Sequence, residues 1–352
     1  ITDRADGGKI EPGITDRPPD RKAEVRSVAA RPRRKWRWWM PVAILVLMGG
    51  LIAYLQFGPP PTPSWDAAYQ AFSTTAACVL TGLLLYVWFA FFSGFRWRMK
   101  LLLGAVGLLA IVACFSLFTV YGMTGNARFH IVPVWWTPPD RALPALPQGA
   151  ITEGRNATVR PGDYPQFLGP DRNAVVHGVF LDRDWAAHPP KEVWRKPIGA
   201  GWSAFAVAGD LAISQEQRGD EELVVARDRK TGDPVWAHGN HIRFVDRTHM
   251  GGDGPRATPT IAGPLQGDSK VRVYAHGATG ILDCLDASTG NLLWSHDTLK
   301  ESGEDNIQWG VSASPLVIDK LGLVVISLGS GGPGGSLAAY DGLSGERKWV
   351  GG

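Results

Sequence analysis

Glu216, Asp253 and Asp305 are the side chains of this sequence best suited to chemistry, since a carboxylate can ligate a hard cation or serve as a general base. Each lies near glycines and charged neighbours between short apolar runs, so the setting predicts turn residues and solvated strand ends. His238, His241 and His249 cluster beside Asp253 and invite a metal-site reading. Histidines three apart share a face only on a helix, and this stretch reads as loop and strand, so loop histidines with satisfied partners are expected. The glycine-rich run Gly329 to Gly335 lacks the Gly-Lys-Ser/Thr ending and following helix of a phosphate loop, and it falls where a hairpin turn is due. No Gly-x-Ser-x-Gly or His-Glu-x-x-His sequence is present, so hydrolase motifs give no support.

The elements that would position these groups are announced by a repeat. The phrase Asp-x-x-x-Gly-x-x-x-Trp occurs three times, as Asp228, Gly232, Trp236, then Asp286, Gly290, Trp294, then Asp341, Gly345, Trp349. A short apolar run precedes each Asp, and two further β-branched or apolar runs bounded by Gly and Asp precede that. Each unit therefore reads as four antiparallel strands, which is a propeller blade. In the phrase itself, Gly supplies the positive φ of a tight hairpin, Asp can bond the turn amides, and Trp is a flat anchor able to fill the gap between blades. These residues are expected to be structural staples. Trp194 has the same phase with no blade of its own upstream, which suggests an N-terminal strand completing a last blade and so removing open sheet edges. The fold class expected for residues 163–352 is all-β, a propeller with three blades present. Three blades do not close a ring, and the chain starts at Ile1 and stops three residues after Trp349, so a fragment of a longer reading frame is expected.

The first third of the chain has a different character. Residues 1–35 are polar, charged and Pro-rich and read as a disordered tail. Apolar stretches near 40–57, 67–95 and 99–121 each approach the ~20 residues needed to cross a hydrocarbon core, giving a three-helix transmembrane region over 36–121. Trp36, Trp38 and Trp39 would sit at the headgroup level. Basic residues at 31–37 and at Arg96, Arg98 and Lys100 flank the spans on one side, while the 58–66 loop carries none. The positive-inside rule then places the N-terminus in the cytoplasm and everything after about Tyr121 outside it. Residues 122–162, rich in proline, read as an extended tether that lifts the propeller off the bilayer. The net charge of +3 in 352 residues, with the basic residues mostly near the N-terminus, argues against a nucleic-acid surface. Cys78 and Cys114 fall in the apolar runs and Cys284 among the repeats, so no disulfide framework is implied.

The segments Ala226 to Trp236, Cys284 to Trp294 and Ala339 to Trp349 resemble the repeat of the PQQ-like (pyrroloquinoline quinone) β-propeller family. The opening phrase Asp163 to Arg172 and the run Gly252 to Pro259 are similar to segments of bacterial propellers of that type. The resemblance covers about 163–352 and implies one of two functions. One group, similar to the BamB-type outer-membrane assembly propellers, binds other proteins and carries no cofactor. The other, the quinoprotein dehydrogenases, holds PQQ with calcium and oxidises alcohols or sugars, and some of its members also begin with several transmembrane helices. This chain lacks the vicinal Cys-Cys pair of many such alcohol dehydrogenases, and its acidic residues match no dehydrogenase motif. The expectation is a scaffold in the bacterial inner membrane, with the propeller in the periplasm, envelope proteins as partners and no cofactor. The alternative is a membrane-bound, PQQ- and calcium-dependent dehydrogenase.

Overall fold

The structure is a computed structural model that describes residues 38–59, 66–152, 154–248, 251–265, 267–329 and 335–352. The 1–35 tail, Trp36, His249 and most of the 329–335 glycine run lie outside the described residues.

Three helices lead the described chain: α1 (Trp39–Phe57), α2 (Ala67–Val87, continued by a π turn over Trp88–Phe92) and α3 (Trp97–Leu117). Apolar residues surround each of them on every side, and all three are long and apolar enough to cross a membrane. Asp66 caps α2 by accepting from the amides of Ala68 and Tyr69. Gln56 and Gln70 lace α1 to α2: Gln56 Nε2 donates to Thr74 Oγ1 at 2.8 Å, and Gln70 Nε2 to the carbonyls of Leu55 and Gln56. With these helices the chain as a whole is not all-β; that class applies to the repeat half alone. The third helix also ends earlier than hydropathy predicts. Phe118 to Tyr121 are strand-forming aromatic and β-branched residues, and they open a hairpin of β1 (Phe118–Met123) and β2 (Phe129–Pro133).

Within the 122–162 stretch expected to be an extended tether, residues 139–150 lie against the first repeat sheet. A single helical turn, α4 (Pro139–Ala142), carries Asp140 into a buried ion pair, and β3 (Gly149–Ala150) pairs with the edge of the first sheet. Proline favours extended geometry, but here that geometry lies along a sheet, where Leu146 covers Leu223, Val225 and Ala237.

The repeat half forms three antiparallel sheets. The first contains β4 (Ala206–Ala208), β5 (Leu211–Arg218), β6 (Glu221–Asp228) and β7 (Pro234–Asn240), with β3 added outside β7. The second contains β8 (Thr260–Ala262), β9 (Arg272–His276), β10 (Ile281–Asp286) and β11 (Leu292–Asp297), after which α5 (Thr298–Ser302) makes one short helix. The third contains β12 (Leu316–Ile318), β13 (Leu323–Ser327), β14 (Leu337–Asp341) and β15 (Arg347–Gly351). The first strands β4, β8 and β12 contact one another in series, and neighbouring sheets share apolar cores. These features fit a PQQ-like β-propeller. One core joins the first two sheets through Ile213, Ala226, Trp236, Val273 and Leu285; others join the second and third through Tyr274, Cys284, Val324, Leu282 and Tyr340.

The repeated phrase has one geometry in all three sheets. Its Trp stands opposite a small residue two positions before the Asp: Ala226 with Trp236, Cys284 with Trp294, Ala339 with Trp349. The register then slips just beyond that pair, a bulge that leads into the turn. Asp228 Oδ1 accepts from the amides of Lys230 (2.8 Å) and Thr231 (3.0 Å), Asp286 from Ser288 and Thr289, and Asp341 from Leu343 and Ser344. Gly232, Gly290 and Gly345 take φ of 72°, 72° and 78°, the left-handed region the turn requires.

Candidate functional site

The longest connection from an outer strand to the next inner one, between β7 and β8, is built around Arg243. Its Nη1 reaches Asp140 Oδ2 at 2.6 Å and donates to the Gly219 carbonyl, while Nη2 reaches Asp253 Oδ2 at 2.9 Å. Asp140 is buried, and the pair, with the Gly219 carbonyl, ties the segment that follows the three long helices to the first sheet. Asp253 Oδ1 in turn accepts from the Asp246 amide. Burial works to raise the pKa of Asp246, but donors from Thr248, Gly251 and Gly252 outweigh it and hold the carboxyl below its usual range. Arg256 lies over the Phe244 ring at 5.6 Å and donates to the carbonyls of Trp309, Gly251 and Gly252.

This loop and the β11–β12 connection flank a half-open cleft of about 590 Å³, lined in part by Arg243, Arg247, Thr279, Asp305 and Asn306. Asn306 Nδ2 donates to the Ala278 carbonyl, and Phe244 N to Gln217 Oε1, so the walls are fastened to the sheets beneath. Arg247 and Asp305 are exposed, and neither forms an ion pair with another described residue. Their side chains offer one charge of each sign to whatever enters.

Beneath the cleft runs a polar seam between the first two sheets. Glu222 accepts from Ala278 N (2.8 Å) and Thr279 Oγ1 (2.7 Å), and burial pushes its pKa up. Asp283 accepts from Asn240 Nδ2 and Ser295 Oγ, both at 2.6 Å. His276 is fully buried against Thr298 Oγ1, and desolvation lowers its pKa to about 4. Gln215 Nε2 donates to the carbonyls of Ala257 and His276.

The residues singled out from sequence land in different places. Glu216 is no solvated strand end: it is 0 % exposed in the middle of the first sheet. Its Oε1 meets Arg218 Nη2 at 2.6 Å, and its Oε2 accepts from Gly199 N at 3.0 Å with Arg227 Nη2 at 3.5 Å. The chain over 198–202 runs along β5 and excludes water from it, bridging Ala200 to Gln217. Asp253 is a loop residue on Arg243, and Asp305 lies on the cleft wall. His238 is on strand β7, not in a loop, and faces Asp283 at 3.5 Å; His241 is exposed. Among the described residues no three His, Cys, Asp or Glu side chains gather as cation ligands. Calcium takes about six to eight oxygen ligands, and the buried carboxylates Glu216, Glu222 and Asp283 already accept from guanidinium, amide and hydroxyl donors. Among the described residues, none of these carboxylates gathers with two others as a ready-made hard-cation site. Sequence reading missed Glu222, His276 and Arg243; only the Asp246-to-Asp253 loop, dense in Gly and Asp, carried a local turn signal.

The outer-strand tryptophans interlock neighbouring sheets. Trp236 Nε1 donates to the Ala287 carbonyl of the second sheet at 2.8 Å, and Trp294 Nε1 to the Gly342 carbonyl of the third at 3.2 Å. Trp194 does the same to the Arg229 carbonyl of the first sheet at 2.9 Å, from a segment with no strand of its own. Each acceptor directly follows the Asp of a repeat turn. A Cβ added at Gly232, Gly290 or Gly345 would fall within 2.8 Å of the indole that packs there.

Antiparallel sheets in series, each with an Asp-capped turn that receives the preceding tryptophan, fit a PQQ-like β-propeller segment. Residues 184–351 match the family model described as outer membrane protein assembly factor BamB, so this part of the chain carries the PQQ-like repeat expected from its residues. Solved structures similar to the chain include the quinohemoprotein alcohol dehydrogenase from Comamonas testosteroni, with 24 % identity over 53 % of this chain and 27 % of that one at a TM-score of 0.39. A europium-containing methanol dehydrogenase shows 19 % identity over 44 % of this chain and 25 % of its own, at 0.29. BamB from Moraxella catarrhalis shows 18 % over 43 % of this chain and 51 % of its own, at 0.23. The chain spans less than two thirds of each of these proteins. No curated protein matches it.

Proposed function

We propose that this chain is a membrane-anchored propeller scaffold whose repeat half binds other proteins of the bacterial envelope. The observation that carries the reading is the engagement of the acids: buried Glu216, Glu222 and Asp246 and half-buried Asp253 all hold sheets and loops together. What remains offered to solvent at the cleft is an exposed Arg247 and Asp305 on fastened loops, a surface suited to recognition. The match of residues 184–351 to an assembly-factor family supports the same reading. In it, the ten repeat residues, from Trp194 to Trp349, are structural staples. The three helices span the inner membrane, with the N-terminus cytoplasmic, as the distribution of basic residues supports, and the repeats from 163 onward form the periplasmic unit.

The test uses the full chain in lipid nanodiscs. Titration with PQQ and calcium, followed by quenching of tryptophan emission, is expected to give no saturable binding, and alcohols and sugars no dye reduction. A photo-crosslinking residue at position 247 is expected to trap discrete envelope proteins in cells, with loss of those adducts on Asp305→Lys. Saturable, calcium-dependent PQQ binding with dye reduction overturns the scaffold in favour of the dehydrogenase.

A further inference from the structure

The β1–β2 hairpin follows α3 with no intervening residue, and the Val134 amide donates to the Leu117 carbonyl at 3.0 Å. That bond ties the helix C-terminus to the ladder, so hairpin and helix leave the apolar span as one piece. Cross-strand partners share a face, and the pairs Phe118 with Pro133, Val120 with Ile131 and Met123 with Phe129 all fall on one side. That face is apolar throughout. Phe118, Phe129 and Ile131 on it are 42 %, 56 % and 60 % exposed, and Trp135 just beyond is exposed as well. The opposite face is occupied: Val132 is buried, and Tyr121, His130 and Trp136 pack edge to face with centroids 4.7–5.8 Å apart. Residues 134–138 then lead directly to Asp140 beneath Arg243. The hairpin is therefore held between the end of a membrane-length helix and the first sheet, with an apolar face on which Phe118, Phe129 and Ile131 are exposed and Val120, Met123 and Pro133 half-buried.

We propose that this apolar face is seated in the interfacial layer of the phospholipid bilayer, making the hairpin a lipid-contacting platform that holds the propeller close to the membrane. Continuity with α3 identifies the occupant: a strand that begins where a span ends emerges into the headgroup zone, where aromatic residues concentrate. An amphipathic element there buries its apolar side by about 5–10 Å. The proposal rests on reading α3 as a membrane span, and the test separates the two.

The full chain carrying Cys78→Ser and Cys114→Ser, with Cys284 buried, is labelled with an environment-sensitive nitrobenzoxadiazole probe at one introduced cysteine at a time. The sites are Ile131→Cys and Phe129→Cys on the hairpin face, Leu109→Cys within α3, and Ser288→Cys on an exposed repeat turn. Each protein is placed in phosphatidylcholine–phosphatidylglycerol nanodiscs containing lipids with a doxyl quencher near the glycerol backbone or near the acyl end. The expected result is loss of emission at 131 and 129 with the shallow quencher, loss at 109 with the deep one, and none at 288. Quenching at 109 with none at 131 and 129 overturns the platform and leaves the span intact. No quenching at 109 overturns both. Blue-shifted emission at 131 and 129 that no lipid quencher touches means that protein covers the face, and it also overturns the proposal.

Discussion

A titratable group withdrawn from water keeps its charge only if its partners hold it there; otherwise its pKa moves. In the seam between the first two sheets two groups move, in opposite directions. His276 is fully buried with its pKa lowered to about 4 from 6.5, so the unfolded chain binds the proton first as pH falls. Its contribution to stability is present above pH 6.5 and lost as pH falls through about 4. At 1.36 kcal/mol per unit, the loss is about 3 kcal/mol. Glu222 has the opposite sign: its raised pKa contributes stability below the usual carboxylate range, which is lost as pH rises through the raised value. Chemical unfolding of the detergent-solubilised full chain at a series of pH values, compared with His276→Gln, measures the histidine part. The difference between the two proteins is expected to shrink by that amount on acidification from pH 6.5 to 4, and a constant difference contradicts the assignment. None of this was legible in the sequence. Ser214 to Arg218 is an unbroken polar run, and nothing local says that it lies buried under the chain at 198–202. Glu216 was misplaced for that reason: the water around it is removed by a distant segment.

At the scale of elements, legibility follows sequence distance. The three repeat turns could be read because Asp, Gly and Trp act within nine residues and leave the same spacing each time. The sockets into which the tryptophans fit were implied but not located. They sit in the following sheet, on the carbonyl after its Asp. The hairpin after α3 was read as the end of a span because a short apolar run does not declare whether it is strand or helix. The tether was read from its prolines, and the ion pair of Asp140 with Arg243, 103 positions away, carries no sequence signal. The interlock yields a comparison between two chemically identical changes. Trp236 is fully buried between sheets with its indole N–H bonded, whereas Trp349 on β15 is 42 % exposed. Trp236→Ala is expected to cost about 3–5 kcal/mol in the unfolding of the repeat sheets. Trp349→Ala is expected to cost about 1 kcal/mol or less. Equal losses in the same unfolding experiment would mean that the interlock does not carry the difference.

Across the whole molecule, stability should grade along the chain, because each sheet is held chiefly by its neighbours. The first sheet packs against the second on one face and is covered on the other by Leu146, and β3 extends its outer edge. All eight residues of β5 are buried. In the third sheet β12 is half-buried, and β15 is exposed along four of its five residues. Amides in a strand exchange with solvent according to the free energy of the local or global opening that exposes them. The first sheet opens only by parting from the second and from the 139–150 segment together, whereas among the described residues β15 pairs with β14 alone. Hydrogen–deuterium exchange of the full chain in nanodiscs, read by peptide mass, is expected to be slowest over β5 and β6, intermediate over β9 and β10, and fastest over β12 and β15. Arg243→Met, which removes the partner of Asp140, is expected to speed exchange over 139–150 and β7 while leaving β13 and β14 unchanged. Uniform acceleration across all three sheets would mean that they open as one cooperative unit, and the graded arrangement argued from their packing would be wrong.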